Sequence, residues 1–151
     1  MLGSLLFHPV RFFEVLPKIP DVRAPTLFLA FSSFLAAILW LIFEGLYPAL
    51  IVLSAPLPLT FPLAGLYHLA SAGGRYGYLV TWRILAYPFG FCTVLSAVPG
   101  LRWVAAVYAG VVLLGVGLAT VRELGPVRAA LASTTVTGLL FAGTYALLAG
   151  V

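Results

Sequence analysis

Six polar side chains, Tyr67, His68, Arg75, Arg83, Arg122 and Glu123, stand at the ends of long apolar runs or just inside them. Their types could support acid–base, ligand-binding or ion-pairing chemistry, and their surroundings narrow the choice. The two histidines, His8 and His68, are far apart, and neither has the second histidine and acid that a zinc motif places on the same helix face. No serine, lysine or cysteine sits in sequence beside a base that would activate it, and no glycine-rich phosphate loop opens a helix. The chain holds four carboxylates in all, so hydrolytic or metal-assisted chemistry would need nearly every one. A non-enzymatic protein is expected, with no catalytic residue, metal or cofactor.

Ionisable groups inside apolar runs are costly, and they are retained where they face a partner or a cavity. Tyr67, His68, Arg75, Arg83 and Glu123 are therefore taken together as a candidate polar cluster, functional or structural. Arg75, Arg122 and Arg128 read as anchors at headgroup level. Arg83 lies deeper and should turn inward. Its candidate partners are the Glu123 carboxylate, which a guanidinium can grip through two bonds, and His68, Tyr67 or freed backbone carbonyls.

The elements that must hold these residues follow from composition. Of 151 residues, 63% are hydrophobic and 8% charged, where soluble chains carry about 25% charged residues. The solvent for most of this chain is lipid, so it reads as an all-α integral membrane protein. The eight Lys and Arg residues are scattered singly and form no basic patch, which removes nucleic acid from the partners. Cys92, alone in an apolar run, excludes an intramolecular disulfide and a multi-cysteine metal site. The first residues lack the ordered regions of a signal peptide, so no cleavage is expected.

Residues 1–24 read as an N-terminal cytoplasmic interfacial segment. In it Pro9 opens a short amphipathic helix with Val10, Phe12, Phe13 and Leu16 on the apolar side and Arg11, Glu14 and Lys18 on the polar side. Residues 25–151 read as a five-span bundle with spans near 25–47, 49–72, 78–98, 102–121 and 127–151. A run of roughly 22 residues makes about 33 Å of helix, enough for a core of about 30 Å. With the N-terminus inside, cytoplasmic ends collect Arg11, Lys18, Arg23, Arg75, Arg83, Arg122 and Arg128, and the outside receives Arg102 alone. That asymmetry predicts a cytoplasmic N-terminus and an external C-terminus.

The second run carries its own breaks, Pro56, Pro58 and Pro62. Proline removes a donor and clashes with the preceding turn, and in lipid no water replaces the lost bonds. The expectation is a short outer helix over 47–55, an irregular linker over 56–60 shielded from lipid, and a central position for this span. The rival is a kinked helix supported by the Ser54 and Thr60 hydroxyls. In the last span Ala130, Thr134, Gly138, Ala142, Ala146 and Gly150 form a row of small residues at spacing four, and Ala106 with Gly110 begins another in span four. Such rows allow close helix crossing.

The order of "HPVRFF", "RAP", "YHLASAGGRYGY", "TWRILAYPFGF", "VPG" and "GVGLATV" along the chain resembles the Yip family of Ypt/Rab-interacting membrane proteins in its compact prokaryotic form. Positions His68, Gly73, Gly74, Thr81, Arg83, Tyr87, Pro88, Pro99 and Gly100 follow the family pattern. The resemblance implies a five-span helical domain in a prokaryotic cytoplasmic membrane. Eukaryotic relatives are linked to Rab-type GTPases, vesicle traffic and membrane shaping, with longer cytoplasmic N-terminal regions carrying part of that role, and the two dozen or so residues before the first span here argue against GTPase binding. The functional expectation is membrane organisation, membrane shaping or scaffolding of membrane proteins, with lipids, a second copy or other membrane proteins as partners. The alternative is a small transporter or channel using a polar crevice near the cytoplasmic side of spans two to four.

Overall fold

The computed structural model describes residues 2–17, 21–72, 74 and 76–149, and among them the chain is helical with no strand. Lys18, Gly73, Arg75 and Gly150 lie outside the described residues. Two short helices, α1 (Leu2–Phe7) and α2 (Pro9–Glu14), precede α3 (Arg23–Phe43). Helices α4 (Leu46–Ser54) and α5 (Pro56–Ala70) follow, then α6 (Tyr78–Ser96). The next element runs from α7 (Arg102–Val107) through a π turn (Tyr108–Leu113) into α8 (Leu114–Val121), and α9 (Pro126–Ala149) ends the chain. Four of these are long and apolar enough to cross a membrane, and the bent pair α4–α5 makes a fifth if it counts as one crossing.

Local chemistry sets the element ends. Asp21 accepts the Arg23 N–H at 2.9 Å, and Thr26 donates to the Val22 carbonyl, which together start α3. Gly45, at φ +95°, supplies the left-handed residue that lets α4 fold back along α3.

The break in the second run is narrower than the prolines suggest. Helices α4 and α5 meet at Ala55 with a bend of 51°, and residues 56–60 are helical rather than irregular. Pro56 and Pro58 lie in the first turn of α5, where the missing N–H groups would have no intrahelical partner in any case. Only Pro62 is inside the helix. Ser54 donates to the Leu50 carbonyl and Thr60 to the Leu57 carbonyl, both at 2.8 Å, which matches the kinked-helix alternative. Nor is the segment shielded, since Leu57 and Leu59 are exposed. Its buried stripe, Pro56, Thr60, Ala64 and Tyr67, is one narrow face, so α5 is peripheral.

The centre belongs to α6. An unbroken run from Val80 to Pro88 is buried, and a helix covered on all sides is the core of its bundle. Helices α3, α5, α7 and α8 surround it. The N-terminal segment joins them: Leu5, Phe12, Phe13 and Leu16 enter the same apolar core. Phe12 meets Tyr87 edge-on at 5.2 Å, and Phe13 lies against Gly117. Of the side expected to face lipid, Phe12, Phe13 and Leu16 are packed into protein and only Val10 is exposed, while Phe7 and Val15 project from the same segment.

The small rows divide in the same way. Ala130, Thr134, Gly138 and Ala142 are exposed, and a Cβ on Gly138 would meet nothing within 4 Å, so this row is not a seam of the bundle. Helix α9 packs instead through Ala129, Ala132, Ser133, Val136 and Thr137. Gly110 does lie in that seam, where a Cβ would sit 2.7 Å from Thr137 Oγ1. Ala106 and Ala146 are half-buried.

Candidate functional site

Three helix ends bring the polar residues together. The last turn of α5 carries Tyr67, His68 and the following Ser71, the first turn of α6 carries Thr81, and Arg122 closes α8. Arg122 is only 2% exposed. Its Nη1 donates to Ser71 Oγ and lies 3.2 Å from His68 Nδ1, while Nη2 reaches the Gly74 carbonyl at 3.4 Å. A guanidinium can only donate, so His68 Nδ1 accepts and the ring proton sits on Nε2. Thr81 Oγ1 lies 3.0 Å from the same Nδ1, and the Tyr78 ring meets the imidazole edge-on at 6.0 Å.

Ser71 relays the contact, since its hydroxyl donates to the Tyr67 carbonyl at 2.6 Å. The cation therefore lies at the carbonyl ends of both α5 and α8, where the helix dipoles favour positive charge. Burial still pulls the Arg122 pKa below the usual arginine value. Among the described residues no carboxylate lies within ion-pair distance of Arg122, and its buried Nε has no partner. A crevice of about 450 Å³ opens beside it, lined also by His68, Leu69, Tyr76 and Gly77.

The cluster differs from the one anticipated. His68 belongs to it, and Tyr67 borders it while spending its hydroxyl on Thr137 Oγ1 at 2.9 Å. Arg122 is its centre instead of a headgroup anchor, whereas Arg128 is exposed. Arg83 turns inward and is 4% exposed, but on another side of α6. There Nη1 donates to the Pro17 carbonyl at 2.7 Å, and Tyr87 feels the guanidinium's charge. The carbonyl that meets Arg83 comes from the N-terminal segment, not from the second span. Glu123 is an exposed turn residue at φ +56°.

Two further features were not anticipated. At the opposite end, Arg102 Nη2 pairs with Glu44 Oε1 at 2.5 Å, donates through Nε to the Ser96 carbonyl at 3.0 Å, and lies 4.2 Å from the Trp40 ring centroid. A cavity of about 260 Å³ sits between α5, α6 and α9, with Leu63, Leu85, Phe89, Ala106, Leu140 and Phe141 among its walls. Tyr67 and Thr137 close one side of it.

The described residues form an all-helical chain with four helices, or five with the bent pair, long and apolar enough to cross a membrane, which points to a helical membrane protein. Comparison with known protein families, with curated proteins and with solved structures finds no match for the chain.

Proposed function

We propose that this is a non-enzymatic, five-span membrane protein of Yip type that organises or shapes the bilayer, with the bent α4–α5 pair as its second crossing. The N-terminus and the Arg122 end lie on the cytoplasmic side of a prokaryotic membrane, in keeping with the distribution of cations. The observation that carries the reading is the divided N-terminal segment. Phe12, Phe13 and Leu16 are held in the core, while Phe7, Val10 and Val15 project from the same segment. Held against the bundle at one membrane face, these side chains would wedge one leaflet and expand its area relative to the other.

Transport fits less well. The cavity beside Tyr67 is walled almost wholly by apolar groups and shares no lining residue with the Arg122 crevice, and Arg83 lines neither. The test is reconstitution into phosphatidylcholine vesicles followed by cryo-electron microscopy. The protein should narrow or tubulate the vesicles at high density, and the Phe7→Ser/Val15→Ser variant should do so less. Unchanged vesicles, or solute flux across them, would sink the proposal.

A further inference from the structure

The Arg122 guanidinium is a buried cation with part of its donor set unused. Nη1 is engaged by Ser71 and His68. The side edge is covered but not fully hydrogen-bonded, because buried Nε has no partner and Nη2 makes one long contact of 3.4 Å with the Gly74 carbonyl. This edge, with two roughly parallel N–H bonds, is what an arginine presents to two oxygens of a phosphate or carboxylate. The carbonyl ends of α5 and α8 supply partial negative charge, which keeps Arg122 in place without occupying the edge.

Gly74 lies over the edge, and a Cβ at this position would fall 2.5 Å from Nε and 2.8 Å from Cζ. A side chain here would require the guanidinium to shift from its present position. The crevice of about 450 Å³ is within the roughly 300–1,000 Å³ range of small-ligand clefts. Its walls are mixed, with apolar Leu69 and Ala72 beside His68 and Arg122.

We propose that this crevice binds a phosphate group, supplied by an anionic lipid headgroup or by a soluble phosphate, with its oxygens on the Nε and Nη2 edge of Arg122. An incoming oxygen replaces the long Gly74 carbonyl contact and supplies the counter-charge that no described carboxylate gives. The site rests on the chain being embedded in lipid and names a partner for it. It does not depend on vesicle shaping, so either claim can fail while the other stands.

The test uses the full chain in phosphatidylcholine nanodiscs doped with phosphatidic acid, with native mass spectrometry on release and thermal unfolding with and without inorganic phosphate. Wild type should retain phosphatidic acid over phosphatidylcholine by about tenfold, the factor that a charge-assisted contact of about 1.5 kcal/mol supplies. Folded Arg122→Gln should lose that preference. Stabilisation by inorganic phosphate without lipid preference would assign the site to a soluble phosphate. If wild type shows neither effect, the proposal is overturned, a result that needs no variant to fold. A lipid preference unchanged in folded Arg122→Gln would overturn it too.

Discussion

Gly117 is where the N-terminal segment, α6 and α8 come closest, which makes Gly117→Ala a sharp probe of the fold. A Cβ there would lie 3.0 and 3.1 Å from two ring carbons of Phe13, and inside van der Waals contact with Ile84 Cγ2. The rings can give by a few tenths of an ångström, but the methyl of fully buried Ile84 would have to move by about 1 Å. Overpacking of this kind costs about 1–3 kcal/mol. The control is Gly138→Ala on the open face of α9, where the new methyl meets nothing within 4 Å. Both changes gain the same helix propensity, about 1 kcal/mol, so this gain cancels and the overpacking remains. For a chain of this size a gap of 2 kcal/mol corresponds to about 4–8 °C. Tryptophan fluorescence during thermal unfolding in detergent would read it, with Gly117→Ala the lower. Adding Ile84→Leu, which removes the offending methyl at constant volume, should close part of the gap. Equal midpoints for the two alanine variants would refute the close approach of α6 to α8 at Gly117.

Arg83→Met should release the N-terminal segment by removing the bond to Pro17. Charge-assisted bonds contribute about 1.5–3 kcal/mol, so exchange at the Phe12 and Phe13 amides should rise about ten- to a hundredfold while α6 stays protected; unchanged exchange would show that the tether is idle. At the other end, Arg102→Gln should cost more than Glu44→Gln. The exposed ion pair contributes about 0.2–1 kcal/mol, and only the arginine also stacks on Trp40, for a further 0.5–1 kcal/mol or so. Equal losses in thermal stability would remove the stacking from the account.

The long apolar helices were legible because length and apolarity are written in the chain. The expected span 102–121 coincides with Arg102–Val121, and 78–98 shortens by two residues to Tyr78–Ser96. What the residue pattern does not carry is direction. A row at spacing four marks a face of α9 without saying whether the face turns inward, and the one built on Gly138 turns out. The apolar side of α2 likewise does not distinguish lipid from protein as its destination, and Phe12 and Phe13 went to protein. Arg122 has the sequence setting of an anchor, a cation directly after a span, and only the approach of α5 buries it. The partner of Arg83 was hidden for a different reason. It is a backbone carbonyl, a group that every residue possesses and none advertises.

The π turn from Tyr108 to Leu113 changes how the faces of the long helix Arg102–Val121 are counted. In an uninterrupted α-helix, Gly110 and Gly117 would share an azimuth to within about 20° and would serve a single neighbour. Yet Gly110 abuts Thr137 of α9, while Gly117 abuts Ile84 of α6 and Phe13 of α2. One surplus residue in a turn shifts the phase of everything after it by up to about 100°, so the helix presents its two glycines to different neighbours without bending. A version of the chain shorter by one residue in this turn would keep its length in the bilayer almost unchanged. It would have to give up one glycine contact, and with it the close packing of either α9 or the N-terminal segment.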